Sequence, residues 1–308
     1  MALPTPRMKS SPVLWCTVLI IALIGTAAGT SGAGPASGTS PGGQAPAREA
    51  PGEWLGLSGR LRAIIETPTG LLQNPLFRAT SSPLRTPGVH DVGLVTPKGD
   101  PFYILSILPF GEKKDGTLKT YRMGHWPQAA QSALNPGYAQ PSGFIEVTPE
   151  NQYTPVSEHF RLCDFLTHDQ TEVWPKFLVL RPPLLDKLEL LSEALRRRGL
   201  PSRLHVMSGF RTPRYNALGV GRGGRASHSR HMYGDAADVF VDADRDNMMD
   251  DLDGDGKVTV KDARLLYAVA EAIEEQYPRL AGGLSPYPAT SAHGPFVHVD
   301  VRGVRARW

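Results

Sequence analysis

Two short stretches fit extended strands with one apolar face, and both carry side chains that ligate metals. In Asp235 to Asp242, Ala236, Asp238 and Phe240 fall on one face of an extended strand, with Ala237, Val239 and Val241 on the other. In Phe296 to Val301, Val297, Val299 and Val301 form a greasy face, and Phe296, His298 and Asp300 oppose it. If both valine faces pack on one core, Asp238 and His298 must emerge on the same side of a sheet. His231 arrives from the loop just before, in Ser229-Arg230-His231-Met232-Tyr233-Gly234, where Gly234 permits a tight turn. Two imidazoles and one carboxylate on rigid elements suit zinc with one position left open. Iron(II) held by two histidines and a carboxylate is the competing reading.

Between these stretches lies an acidic insertion, 242–262. Asp251, Asp253, Asp255, Thr259 and Asp262 stand at positions one, three, five, nine and twelve of a twelve-residue loop, with Gly256 at six. That is EF-hand spacing, in which position seven, here Lys257, lends its backbone carbonyl to calcium. Aspartate at the twelfth position resembles dockerin-type loops. Ala263 to Gln276 then reads as a helix with Leu265, Leu266, Val269 and Ile273 on one face. Upstream, Asp242, Asp244, Asp246 and Asp250 repeat the acidic spacing, but Asn247 takes the sixth place. Bound calcium is expected to stiffen the insertion and help present His298.

The rest of the chain falls into segments by composition. Residues 1–28 read as a signal peptide, with Arg7 and Lys9 before an apolar run from Val13 to Ile24. The run is short for a membrane span, though an uncleaved anchor is the alternative. Cys16 lies inside the run and is not expected to carry lipid. Cleavage leaves Cys163 alone, without a disulfide partner, and its apolar neighbours suggest a buried structural thiol. Residues 29–52 are Gly, Ser, Ala and Pro and read as a disordered linker. Residues 53–154 read as a small β-rich accessory domain, with strands near Phe102 and Phe144 and a hairpin turn at Lys114-Asp115-Gly116-Thr117. His90 and His125 in this part are expected to be surface or packing residues. Residues 155–308 form the second domain. Its leucines at 184, 188, 191 and 195 mark a helix stopped by Gly199-Leu200-Pro201, and Leu204 to Ser208 reads as a strand. A formal net charge of +3 gives no electrostatic case for nucleic acid as a partner.

Three motifs in order carry a family resemblance. They are Ser208-Gly209-Phe210-Arg211-Thr212-Pro213 with Asn216, then Ser229-x-His231-x-x-Gly234-x-Ala236-x-Asp238, then Phe296-Val297-His298-Val299-Asp300. Together they resemble the zinc D-alanyl-D-alanine peptidase family, which contains D,D-carboxypeptidases and murein endopeptidases. The ending Val304-Arg305-Ala306-Arg307-Trp308 is similar to the murein endopeptidase branch, and His159-Phe160 with Asp164-Phe165 resembles the family's domain start. The resemblance spans about Ser157 to Trp308. It implies an α+β fold in which His231, Asp238 and His298 bind zinc, and in which Arg211 and Ser229 bind substrate. Arg211 would hold a peptide carboxylate or the oxyanion through its planar fork. It further implies peptidoglycan peptide stems as the substrate, while the N-terminal segment points to export to the periplasm or cell envelope, and a monomer is expected. Membrane contact would come only through the N-terminal segment.

One departure bears on the proton chemistry. Related enzymes place a glutamate three residues before the last histidine or a histidine two before it, and here Pro295 and Phe296 stand there. Asp300 shares the His298 face and is the first candidate for the base, with orientation of His298 as its other role. His228 and His293 are further candidates. The expected activity is D,D-endopeptidase. A D,D-carboxypeptidase and a non-catalytic wall-binding protein are the alternatives.

Overall fold

The computed structural model describes residues 48–80, 84–127, 138–221 and 224–308. The expected signal segment 1–28, Cys16, and the expected linker as far as residue 47 lie outside the described residues. Among the described residues no helix is long and apolar enough to cross a membrane. The fold mixes α and β, with few helices and several small sheets, compatible with an α+β class.

The first sheet contains β1 (Arg48–Glu49), β2 (Ala63–Glu66), β3 (Gly88–Val95) and β4 (Pro101–Ser106), ordered β1-β3-β4-β2. A small core beside it stacks Trp54 on Phe77 and Phe102, with ring centroids 5.3 and 6.0 Å apart. Leu71 of the short helix α1 (Pro68–Gln73) joins that core. The linker expected to run to Gly52 therefore ends earlier. Arg48–Glu49 pairs in parallel with β3, and the buried Ala50 donates its N–H to Val95 O at 2.8 Å. Ladder hydrogen bonds use only backbone groups, so residues that read as a tether can still add an edge strand.

The expected boundary at residues 154 and 155 is not a break between cores. Next in the chain come β5 (Leu108–Pro109), the hairpin β6 (Thr117–Leu118) and β7 (Tyr121–Arg122), then β8 (Gly143–Val147) and β9 (Lys176–Leu178). The turn at Asp115-Gly116 forms as expected, with φ of 45° and 74°. Strands β8 and β9 come from opposite sides of the boundary yet pair antiparallel, Ile145 opposite Leu178. Trp126 donates Nε1–H to Met232 O at 3.0 Å. On helix α2 (Pro182–Arg197), Asp186 accepts the N–H groups of Leu57 and Ser58 at 3.0 and 2.9 Å. That turn requires glycine: Gly56 has φ of 70°, and a Cβ there would lie 2.4 Å from Asp186 Oδ1. One hydrophobic core runs from Leu61 to Val299, and Pro46–Trp308 forms one compact unit.

The second sheet positions the site. Its elements are β10 (Leu204–Ser208), the short helix α3 (Pro213–Ala217), β11 (Ala236–Val241), helix α4 (Val260–Gln276), β12 (Gly283–Tyr287), β13 (Phe296–Asp300) and β14 (Ala306–Arg307). The strand order is β10-β11-β13-β12-β14. Helix α2 buries Leu184, Leu188, Leu191 and Leu195, one per turn. Helix α4 begins at Thr259, whose hydroxyl accepts the Lys261 N–H, with Asp262 completing a capping box. Its Leu266, Val269, Ala270 and Ile273 are buried, and it packs across β11, β12 and β13 and against α2. The acidic insertion thus leaves the sheet after β11 and returns through α4.

A buried ion pair fastens this layer. Lys187 on α2 is fully buried, and its Nζ donates to Glu274 Oε1 at 2.6 Å, Asp300 O at 2.7 Å and Leu280 O at 3.2 Å. Lys187→Met is expected to destabilise the fold by about 3–5 kcal/mol, because the acceptors stay buried without their donor. A lower urea midpoint with an unchanged slope in equilibrium unfolding would check this.

At the other edge His159 Nδ1 sits 2.7 Å from Glu189 Oε2. That hydrogen bond raises the His159 pKa above its ordinary value, against the opposing effect of burial. A raised pKa means stabilisation that is full below the unfolded value of about 6.5 and lost as pH rises through the folded one. His159→Ala is therefore expected to lower the unfolding midpoint more at about pH 5.5 than at about pH 8.5, as parallel denaturation curves would measure.

Candidate metal centre

Register brings the ligands together. Strands β11 and β13 are antiparallel, with Asp238 opposite His298, Val239 opposite Val297 and Ala236 opposite Asp300. Val239, Val297 and Val299 are fully buried. A row of polar residues crosses four strands on the other face: Ser208, Asp238, His298, Ser285. His231 comes from a single 3-10 turn, Arg230–Tyr233, closed by Gly234 at φ 69°. A Cβ on Gly234 would lie 2.4 Å from the Val179 carbonyl, so no other residue fits.

The tautomer of His231 follows from its partner. Nδ1 lies 2.7 Å from Gly209 O, and a carbonyl only accepts, so Nδ1 carries the proton and Nε2 presents a lone pair. Nε2 is 3.3 Å from His298 Nδ1 and 3.2 Å from Asp238 Oδ1, and His298 Nδ1 is 2.9 Å from Asp238 Oδ1. Donors ~2.0–2.1 Å from one tetrahedral ion lie ~3.3 Å apart, so the triangle has the size of a metal site. Burial pushes the His231 pKa down. Burial opposes the ionised Asp238, but the two imidazoles packed against it outweigh that and hold its carboxyl well below the usual range. Burial also opposes a charged His298, and the hydrogen bonds its ring makes to Asp238 and Asp300 outweigh it in the other direction and raise its pKa.

Asp300 lies behind His298, away from the triangle. His298 Nε2 faces Asp300 Oδ2 at 3.2 Å, on the opposite side of the ring from Nδ1. Asp300 is fully buried. Its Oδ1 accepts the Gly283 N–H at 2.7 Å, and the Arg302 guanidinium clasps both oxygens. Burial opposes ionisation, yet His298 and Arg302 hold its pKa far below the usual carboxylate range. A carboxylate so engaged is a poor proton acceptor, which corrects the expectation that Asp300 is the base. It orients His298 instead.

Arg211 and Ser229 both line the cleft beside the triangle, whose volume is about 820 Å³. Arg211 donates Nη2–H to Asp238 Oδ2 at 2.5 Å and Nε–H to Ser208 Oγ at 2.9 Å, so it also fixes the carboxylate that the triangle uses. Ser229 is buried and makes no capping hydrogen bond with its side chain. His228 and His293 line the same cleft. Sequence reasoning missed Arg302, Tyr287 and Trp308. Trp308 places its ring 5.4 Å from His298 and donates Nε1–H to the Tyr287 hydroxyl at 2.6 Å, while Tyr287 stacks on Phe296 at 4.7 Å. Phe296 on the His298 face was the available sign of this aromatic wall. Trp308 arrives by the parallel pairing of β14 with β12, which no local pattern announces.

The calcium loop forms only in part as expected. Asp251, Asp253 and Asp255 bring carboxylate oxygens within 4.8 Å of one another. Asp262 does not join that group. It is fully buried, its Oδ1 accepts the N–H groups of Leu252 and Asp253 at 2.8 and 3.2 Å, and its Oδ2 accepts that of Thr259 at 2.7 Å. Thr259 caps α4, and the exposed Lys257 donates its N–H to Asp255 Oδ1 at 3.0 Å. Thr259 and Asp262 thus form the capping box of α4, and Asp262 also ties the helix start back to the N–H groups of Leu252 and Asp253 at the beginning of the loop. Cys163 is half-buried rather than buried, and burial with the nearby Asp164 pushes its thiol up to about 11. That suits an inert side chain.

No protein family, curated protein or solved structure matches this chain.

His298→Ala or Asp238→Ala is expected to abolish tight binding of one divalent ion, and Asp300→Asn to weaken it by about 10–100-fold through loss of His298 orientation. Competition against a chromogenic chelator measures both. Unchanged affinity in Asp300→Asn would count against the orienting role.

Proposed function

We propose that this chain is an exported zinc peptidase that hydrolyses D-alanyl amide bonds in peptidoglycan cross-links, a D,D-endopeptidase. The observation that carries the reading is the triangle of His231 Nε2, Asp238 Oδ1 and His298 Nδ1, with edges of 2.9 to 3.3 Å inside a cleft. Two nitrogens and one oxygen suit zinc and leave its fourth position open. Zinc, when bound, supplies the Lewis acidity that activates water and polarises a carbonyl near neutral pH. The substrate class rests on the likeness of three ordered motifs to the zinc D-alanyl-D-alanine peptidases. Export rests on the N-terminal segment.

The side chains divide the remaining work. Asp300, clasped by Arg302, keeps the His298 ring in place. Arg211 steadies Asp238 and turns its charge toward the cleft, where an oxyanion or a peptide carboxylate would be held. Ser229 offers a hydroxyl to the substrate backbone. We assign proton transfer to His293. Its Nδ1 donates to Gly294 O at 2.8 Å, which leaves Nε2 as the basic nitrogen, and its ring stands edge-on to Phe296 at 4.9 Å. Calcium at Asp251, Asp253 and Asp255 would stiffen the insertion that precedes α4.

A second reading, a non-catalytic wall-binding protein, is favoured by Pro295 and Phe296 at the positions where related enzymes carry the base. Purified muropeptides separate the possibilities. Dimers are expected to be cleaved by the wild type and not by His298→Ala, which should still bind wall material. Consumption of pentapeptide monomers alone would mean a carboxypeptidase, and binding without any hydrolysis would mean the second reading. His293→Ala is expected to lower kcat by about 10²–10⁴-fold with metal content unchanged. An unaltered kcat would move the base elsewhere.

A further inference from the structure

The insertion holds a second carboxylate group upstream of the Asp251–Asp262 loop, repeating its one, three, five spacing without the glycine at six. Asp242, Asp244 and Asp246 each offer an oxygen, all within 4.8 Å of one another. Exposed acids often crowd without binding anything, but Asp242 is fully buried. Its Oδ2 accepts from Arg203 Nη1 at 3.0 Å, while His205 Nδ1 stands at 3.6 Å, beyond hydrogen-bond reach. Its Oδ1 is buried and has no hydrogen-bond partner among the described residues. A buried carboxylate oxygen without a donor is costly, and a cation is the partner that would satisfy it. Arg245 is the one basic residue among seven aspartates between Asp242 and Asp255, so the loop supplies little neutralisation of its own.

We propose that Asp242, Asp244 and Asp246 bind a divalent cation of the calcium type, a second ion in the insertion and separate from the His231–Asp238–His298 triangle. All the donors are oxygens, which selects a hard cation. Calcium accepts about six to eight oxygens in irregular geometry, including backbone carbonyls and water, whereas magnesium demands a stricter octahedron. The two loops share a backbone course. Arg245 and Asn247 have φ of 68° and 65°, as Gly254 and Gly256 have 73° and 80° in the loop that follows. Asparagine tolerates that region, so the first loop keeps its shape without the glycine by which such loops are usually found.

The position ties this ion to the sheet. Asp242 directly follows β11, and its N–H donates to Arg203 O at 2.9 Å, just before β10. Asp250 closes the loop by donating its N–H to Val241 O at 2.9 Å and accepting the Ala243 N–H at 2.9 Å. An ion here clamps the end of the strand that carries Asp238.

Calorimetric titration of calcium into the full chain tests the proposal. Two equivalents are expected for the wild type. Asp244→Asn with Asp246→Asn, both exposed positions, should lose one, and Asp251→Asn with Asp255→Asn should lose the other. Unchanged stoichiometry and affinity in the Asp244→Asn/Asp246→Asn protein would overturn it. Hydrogen exchange gives an independent check on the wild type, where calcium should slow the amides of residues 243–250. The slowing should persist in Asp251→Asn/Asp255→Asn. No slowing in the wild type would also overturn the proposal.

Discussion

The antiparallel register of β11 on β13 is the constraint from which the site follows. With Val239 opposite Val297 in the core, Asp238 must stand opposite His298 on the other face. A slip of one residue would bury both ligands among the valines and turn the valines toward the cleft. The hydrophobic core therefore holds the metal geometry indirectly, through the pleat. His231 is the exception, since it reaches the triangle from a 3-10 turn. Its placement depends on Gly234 and on the hydrogen bond from Nδ1 to Gly209 O.

Behind the triangle stands a second tier of charge. Asp300 sits between His298 and Arg302, and its backbone carbonyl accepts from the buried Lys187. Lys187 also pairs with Glu274, which in turn takes Arg307 at 2.6 Å. The strand end that carries Asp300 is thus connected through α2 and α4 to β14. Each buried charge has an opposite neighbour, the condition under which such groups survive in a core. Orientation of His298 and stability of the helical layer share these contacts, so a change at Lys187 should reach the metal site as well as the unfolding midpoint.

What could be read from the chain followed the strength of local periodicity. The strands β11 and β13, the leucine face of α2, the start of α4 and the Asp115-Gly116 turn all carry their signal within a few residues. The meeting of Asp238 and His298 was legible for the same reason, because alternation assigns each residue of a strand to a face. Other features depended on pairing partners far away in sequence. β1 joins β3 through backbone groups that any residue supplies, and β8 crosses the expected domain boundary to meet β9. The role of Asp300 turned on which ring nitrogen of His298 it faces, and spacing cannot encode that. Thr259 and Asp262 fit an EF-hand by position, yet the same two residues make a capping box, and Asp262 also accepts from Leu252 and Asp253 across the loop.

The acidic loop leaves and rejoins the sheet without disturbing the His231–Asp238–His298 triangle. It departs after Val241, where β11 has already presented Asp238, and α4 brings the chain back across β12 and β13. Asp242 and Asp262 mark its two ends, and both are fully buried. Asp262 spends its oxygens on three backbone donors, whereas Asp242 keeps one oxygen without a donor among the described residues. Two buried carboxylates in otherwise similar loops therefore reach different solutions. Asp262 is satisfied by backbone donors on both sides of its loop, and Asp242 Oδ1 has no donor among the described residues. That asymmetry singles out the end of the insertion nearest Asp238 as the end where an ion has most to stabilise.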